Sequence, residues 1–293
     1  MAKVTKLIIK DEVNVRFENL DVITRRKISD KLKYFLPYAY HLPSYKLGRW
    51  DGHIRFCDIG GRTYLNLLDR ILPIIEDQDY EIDIEDQRQK HEFNFDAIDE
   101  SLHFNKTWGK KHPQAGQPIV LRDYQVKTIN SFLEQPQCLQ EIATGAGKTI
   151  ITATLSQLVQ KYGRSIVIVP NKSLVTQTEE DYKTIGLDVG VYYGERKEFN
   201  KQHTICTWQS LNVLLKKSKK YEVDIRIGDF LKDVVCVMVD EVHQAKADVL
   251  KTLLTGPFSN VPIRWGLTGT IPKEDYEMAS LQASLGEVIF KLS

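Results

Sequence analysis

The chain has 293 residues, 42% hydrophobic and 27% charged, with a formal net charge of +1, values ordinary for a soluble globular protein that can bury two cores. Its longest clean apolar run, Val234–Val239, is strand-sized rather than the ~18 residues of a membrane span, and the short apolar patch at the amino terminus, with charges on both sides, is no signal peptide. Cys57, Cys138, Cys206 and Cys236 stand apart, without C-x-x-C or zinc spacing, so buried reduced thiols in an intracellular, cytoplasmic protein are expected.

The first predicted elements are short strands over Val4–Ile9 and Val13–Phe17 around the polar turn Lys10-Asp11-Glu12. Asp21 reads as the N-cap of a helix running to about Phe35, because Val22, Ile23, Ile28, Leu32 and Phe35 recur at helical spacing before Pro37. Then comes Tyr45-Lys-Leu-Gly-Arg-Trp-Asp-Gly-His-Ile-Arg-Phe56. Gly48 and Asp51-Gly52 mark turns between extended segments, which predicts a hairpin. Tyr64–Leu68 and Tyr80–Ile84 are further extended runs, completing a small α+β domain over residues 1–90.

Charge is segregated along this part of the chain. Residues 1–70 hold 14 Lys/Arg against 8 Asp/Glu, a net +6, and residues 71–100 hold 2 against 11, a net −9. A basic block followed by an acidic one fits a polyanion-binding surface, and equally a solvated, unevenly charged one. Residues 91–117, rich in Asn, Gly, His and Pro, read as a linker with one short helix near Phe95–Leu102.

From residue 118 onward the rhythm changes. Apolar runs Cys138–Ala143, Ser165–Val169, Gly190–Tyr193, His203–Cys206, Val234–Val239 and Trp265–Leu267 alternate with helical segments. Near-continuous apolar strands alternating with helices predict an α/β fold, with a parallel sheet covered on both faces and ligands at the strands' carboxyl ends.

Ala143-Thr-Gly-Ala-Gly-Lys-Thr149 follows a predicted strand and opens an apolar helix. Glycines let the backbone curl around an anion, and a helix amino terminus adds free N–H donors. Lys148 would reach the β- and γ-phosphates and Thr149 would ligate Mg²⁺. The strict phosphate-loop pattern is not met, because Ile142 stands where the first glycine belongs. Ninety-two residues after Lys148, Asp240-Glu-Val-His243 ends an apolar strand. A carboxylate there suits a metal-holding Asp beside a phosphate loop, and Glu241 suits a base toward water.

Together with Leu267-Thr-Gly-Thr270, these segments resemble motifs I, II and III of superfamily-2 DExH helicases and translocases. Leu121-Arg-Asp-Tyr-Gln125 resembles the adenine-recognising segment, Val169-Pro-Asn-Lys-Ser-Leu174 with Thr176-Gln177 resembles motif Ia, and Thr207-Trp-Gln-Ser-Leu211 resembles the next strand-contacting motif. The ordered set covers about residues 118–290. The amino-terminal Arg49-Trp-Asp-Gly-His-Ile-Arg55 narrows the resemblance to the UvsW family of phage recombination and fork-remodelling helicases.

The resemblance implies a RecA-like first motor domain over 118–293, with ATP and Mg²⁺ as cofactors and DNA as partner: duplex, forked or four-way junction, an RNA–DNA hybrid included. It implies that Arg122 and Gln125 bracket the adenine, and that Thr144, Gly145, Ala146, Gly147, Lys148 and Thr149 hold phosphates, with Thr149 and Asp240 on Mg²⁺. Lys148, Asp240 and Glu241 would be catalytic, and His243, Thr268 and Thr270 would transmit the hydrolysis state. Asn171, Lys172, Thr176, Gln177, Thr207 and Gln209 would contact a phosphodiester backbone.

In such motors a second RecA-like domain closes the site with an arginine finger, worth ~10³–10⁵ in rate. The sequence ends 23 residues past Thr270, so a front-half module with weak or absent activity is expected, needing a second domain in cis or trans. A motor fragment of a restriction-type translocase and a non-hydrolysing, nucleotide-gated DNA-binding adaptor are the alternatives. Lys216-Lys-Ser-Lys-Lys220 is expected as a solvated loop, with backbone tracking as the other reading. Within the Tyr45–Phe56 segment, Trp50, Ile54 and Phe56 are expected to pack, and Lys46, Arg49 and Arg55 to face DNA phosphates.

Overall fold

The computed structural model describes residues 3–220 and 226–292. They form two compact units: residues up to Lys90 together with Pro272–Ser284, and His91–Ile271 together with the stretch from Leu285 onward.

In the first unit, β1 (Lys3–Ile9) and β2 (Asn14–Glu18) pair antiparallel across a turn that Asp11 holds, its Oδ1 accepting the N–H groups of Val13 and Asn14. The Asp21 carboxylate caps α1 (Val22–Lys31) by accepting from the Thr24 N–H at 2.7 Å. This helix ends four residues before Phe35. Lys33–Phe35 is instead a strand, β3, because its backbone pairs with His53–Arg55, and the Leu32 carbonyl takes the Phe56 N–H.

The expected hairpin within Tyr45–Phe56 is therefore corrected. One helical turn, α2 (Pro43–Lys46), begins the segment, and the strand at its end, β4 (His53–Arg55), finds its partner in β3. Gly52 makes the return possible. It holds φ +78, and a Cβ there would run into the Phe35 ring.

β5 (Arg62–Tyr64) is followed by a helix the sequence did not announce, α3 (Leu68–Glu76), with Pro73 inside it. An interior proline costs about 3 kcal/mol. Ile71 and Ile75 are fully buried on one face, and each such burial contributes about 1.5–3 kcal/mol, so packing wins. β6 (Tyr80–Asp86) then adds parallel to β1, giving the sheet order β5-β2-β1-β6. Leu7, Phe17, Ile28, Phe56 and Ile71 pack in the core with Ala279 and Ala283, supplied by the later segment.

The second unit opens with residues 91–117, expected as a linker. No helix forms at Phe95–Leu102; the Ile98 N–H and C=O instead pair with the side-chain amide of Asn130 at 2.8 and 2.9 Å. Phe93, Phe95, Ile98, Leu102 and Trp108 pack against this unit's core.

The remainder of this unit alternates as expected: α4 (Asp123–Leu133), β7 (Gln137–Ile142), α5 (Lys148–Val159), β8 (Arg164–Val169), α6 (Lys172–Thr184), β9 (Val189–Tyr193), β10 (Arg196–Lys197), β11 (His203–Thr207), α7 (Trp208–Lys220), α8 (Ile227–Phe230), β12 (Val234–Asp240), α9 (Ala247–Thr255), β13 (Ile263–Thr268) and, after α10 (Asp275–Leu285), which belongs almost wholly to the first unit, β14 (Val288–Leu292). The eight-stranded order is β10-β9-β11-β8-β12-β13-β7-β14, parallel except for the β10–β9 pair. Lys216, Lys217, Lys219 and Lys220 lie in the last turns of α7 rather than in a loop, where cations suit the negative end of the helix dipole. Because β7, β8, β11, β12 and β13 run parallel, the segments after Ile142, Val169, Thr207, Asp240 and Thr268 all emerge at one edge of the sheet.

Candidate nucleotide and nucleic-acid site

At that edge lies a cavity of about 800 Å³, within the range of small-ligand pockets. The loop from β7 into α5 forms its floor. Gly145 (φ +83) and Gly147 (φ +77) adopt the left-handed conformation, which lets successive N–H groups turn inward. A Cβ at Gly147 would stand 2.6 Å from the Gln125 amide nitrogen, so the close approach of α4 also requires glycine there.

Lys148, the first residue of α5, is buried. Its Nζ lies 2.8 Å from Glu241 Oε1 and donates to the Ile142 and Ala143 carbonyls at 3.3 and 3.4 Å. Asp240 ends β12, 3% exposed. Burial, reinforced by the neighbouring Glu241 charge, pushes its carboxyl up to about 7. Glu241 itself has a left-handed backbone (φ +51), a conformation that costs about 1–3 kcal/mol in a non-glycine residue and clusters at functional sites.

The other Glu241 oxygen, Oε2, accepts the Gly269 N–H at 3.2 Å and lies 3.3 Å from His243 Nδ1. That ring nitrogen is also 2.8 Å from the Thr268 hydroxyl, which donates to the Thr270 carbonyl at 2.7 Å and accepts the Thr270 N–H. Lys148, Glu241, His243, Thr268 and Thr270 thus form one continuous polar chain.

Gln125 is used within the protein. Its Oε1 accepts the Arg122 N–H at 2.9 Å and its Nε2 donates to the Ala146 carbonyl at 3.0 Å. The same carbonyl accepts from the Tyr124 hydroxyl, to which the Arg122 guanidinium donates. Gln125 therefore braces the glycine loop between β7 and α5. Thr144 is exposed at the rim.

Three residues of this cavity had no sequence signal. Trp108 and His112 stack at 3.9 Å between ring centroids in the wall supplied by residues 108–114. Asp181, on α6, accepts the Thr149 hydroxyl.

The residues expected on a nucleic-acid backbone lie at the carboxyl ends of β8 and β11 and in the first turns of α6 and α7, with Gln177 also lining the cavity. Asn171 caps α6, accepting the Leu174 N–H at 3.0 Å, and Gln209 donates to the Pro170 carbonyl at 3.2 Å. Lys172, Thr176 and Gln177 are exposed. Thr207 differs: it is buried, and its hydroxyl bonds Ser210 at the start of α7. In the first unit, Lys46 and Arg49 are exposed, whereas the Arg55 guanidinium is held by the Asp51 carboxylate. Phe56 is fully buried, while Trp50 and Ile54 are half-buried.

A parallel-sheet domain with a phosphate loop, a D-E-x-H strand end and a linked T-G-T segment defines a superfamily-2 nucleic-acid motor domain. Residues 118–273 match the family described as type III restriction enzyme, res subunit, and the chain belongs to this family of superfamily-2 helicases. It is similar to the ATP-dependent DNA helicase UvsW of Enterobacteria phage T4, at 23% identity over 260 residues, which cover 84% of this chain and 48% of that protein. It is also similar to the DNA 3′-5′ translocase XPB2 of Sulfurisphaera tokodaii, at 23% identity over 185 residues, 62% of this chain and 38% of the relative. The chain therefore spans about half, or less, of the length of these relatives. A crystal structure of the bacteriophage T4 UvsW helicase superposes with a TM-score of 0.75 at 19% identity, covering 98% of this chain and 99% of that one, which shows a shared fold. No helix among the described residues is long and apolar enough to cross a membrane.

Proposed function

We propose that this chain is the ATP-binding, DNA-gripping part of an ATP-driven helicase or translocase acting on duplex or branched DNA, forks and four-way junctions included, in recombination and repair. The observation that carries this reading is the convergence of Lys148, Thr149, Asp240 and Glu241 on one cavity, with Glu241 wired through His243 to Thr268.

The donor set fits Mg²⁺ held with a nucleotide. Among the described residues no group of three or more His, Cys, Asp or Glu could hold a metal ion. Mg²⁺ typically takes one or two carboxylates and completes its shell with phosphate oxygens and water. Thr149 and Asp240 would hold it, and the ion would neutralise charge on the transferring phosphoryl group. Lys148 would exchange Glu241 Oε1 for phosphate oxygens. That exchange frees the Glu241 carboxylate to accept a proton from water, while the Gly269 N–H keeps its other oxygen oriented. His243, Thr268 and Thr270 would carry the change away from the nucleotide. Asn171, Lys172, Thr176, Gln177 and Gln209 would grip a phosphodiester backbone without reading sequence, and the basic stretch 1–70 of the first unit would add salt-sensitive affinity.

Among the described residues Arg122 is the only arginine lining the cavity, and it is tied to Tyr124. The 293-residue polypeptide is therefore expected to bind ATP·Mg²⁺ and DNA with little turnover until a second RecA-like domain is supplied. The test is equilibrium binding of a fluorescent ATP analogue and of DNA by this polypeptide, with Lys148→Ala as control. Absence of nucleotide binding would overturn the reading, and substantial DNA-stimulated turnover by the polypeptide alone would overturn its inactive part. The restriction-type alternative shares this motor domain; preferential binding of uninterrupted duplex over junctions would favour it.

A further inference from the structure

The hydroxyl of Thr149 behaves unlike its neighbours on α5. Thr154 donates back to the Ile150 carbonyl at 2.7 Å and Thr152 to the Thr149 carbonyl at 2.9 Å, the usual way a helical threonine satisfies its proton. Thr149 instead donates outward, to Asp181 Oδ2 on α6, 32 residues later.

Asp181 is also unlike its own neighbours. Glu179 pairs with Lys183 and Arg196, and Glu180 with Lys111. Asp181 makes no salt bridge among the described residues, although it lines the cavity. Burial raises its carboxyl above the ordinary range, and the hydrogen bond from Thr149 opposes that rise. A half-buried carboxylate without a cation leans on its hydrogen bonds, and the one Asp181 accepts comes from the residue proposed to hold Mg²⁺.

A hydroxyl has one proton and two lone pairs. With the proton fixed on Asp181, the lone pairs face away from that carboxylate and are free for a cation. Thr149 sits in the first turn of α5, and Gly145, four residues earlier, lies outside the helix with a left-handed backbone, so without Asp181 the hydroxyl has no helical carbonyl to hold it and the lone pairs would rotate with the proton. We propose that Asp181 is a positioning residue that orients the Thr149 hydroxyl as a Mg²⁺ ligand and so sets how strongly Mg²⁺ strengthens nucleotide binding. This rests on the reading of the cavity as a Mg²⁺–nucleotide site. It also gives α6, whose amino-terminal end carries Asn171, Lys172, Thr176 and Gln177, a direct hold on the nucleotide loop.

The experiment measures ATP affinity of the 293-residue polypeptide with Mg²⁺ and with EDTA, for wild type, Asp181→Ala and Asp181→Asn. Outer-shell partners of metal ligands typically contribute 10–100-fold in metal affinity. Asp181→Ala should therefore lose about 10–100-fold in Mg²⁺-dependent affinity, with EDTA affinity held within about twofold. Asp181→Asn should recover most of the loss, because its Oδ1 accepts the same proton. A general packing role would instead lower both affinities together, and that result overturns the proposal. So does an Asp181→Ala protein with unchanged Mg²⁺ dependence, or an Asp181→Asn protein as weak as Asp181→Ala. A wild type that binds no ATP removes the underlying site reading, and this inference with it. A wild type that binds ATP without Mg²⁺ dependence overturns the metal role alone.

Discussion

Lys148 and Glu241 form a buried ion pair at 2.8 Å, with their side chains 7% and 11% exposed. Lys148→Ala removes the cation and leaves the Glu241 and Asp240 carboxylates adjacent, one of them already pushed toward its neutral form. Breaking a buried pair from one side costs about 3–5 kcal/mol, because the remaining charge is uncompensated. Glu241 keeps the Gly269 N–H, so the cost should fall near the lower bound, about 3 kcal/mol. Replacing the orphaned charge as well, in Lys148→Ala/Glu241→Gln, should restore part of it, giving a coupling of about 1–3 kcal/mol in the double-mutant cycle. The assay is urea denaturation without nucleotide, comparing midpoints at constant slope. In the same proteins, loss of a charge-assisted contact to phosphate, about 1.5–3 kcal/mol, should weaken ATP binding about 10–150-fold. A Lys148→Ala protein as stable as wild type, or one that binds ATP normally, would refute the reasoning.

The Trp108–His112 stack predicts that Trp108→Ala weakens nucleotide binding about 2–10-fold, the range of one aromatic contact, in an ATP titration; unchanged affinity would leave the stack a wall only. Arg49→Ala/Arg55→Ala should lower the salt slope of DNA binding by about 1–2, with Arg49 contributing more because Arg55 is already held by Asp51; an unchanged slope would make the segment a turn alone. Burial holds His103 and His203 down to about 4. Folded pKa values below the unfolded 6.5 mean that the unfolded chain binds more protons between pH 6.5 and 4. Stability is then fully present above pH 6.5 and lost as pH falls through that window, by as much as about 3 kcal/mol for His203. Denaturation midpoints from pH 7 to 4.5 check this, and His203→Gln should flatten the fall.

The second unit's strands were legible because runs such as Val234–Val239 are apolar on both faces, a pattern that few other elements share. The phosphate loop was legible because glycines and a lysine fall between a strand and a helix. What escaped the sequence depends on partners far along the chain. Lys33–Phe35 continues the helical spacing of α1, and only pairing with His53–Arg55 makes it a strand. α3 was obscured by Pro73, whose cost is outweighed by Ile71 and Ile75. Residues 91–117 look like a linker by composition, and their aromatic residues have no meaning until they meet the core under Trp265. Asp181 is one more acid in Glu179-Glu-Asp181 until Thr149 is found against it.

The cavity around Lys148, Thr149, Asp240 and Glu241 is proposed as the ATP site of a DNA motor. The most direct test joins the 293-residue polypeptide to a second RecA-like domain and measures ATP turnover with no DNA, duplex and four-way junctions at fixed salt. Turnover stimulated by DNA, strongest with junctions and abolished by Lys148→Ala, is the predicted result. Turnover indifferent to DNA, or surviving Lys148→Ala, would contradict it.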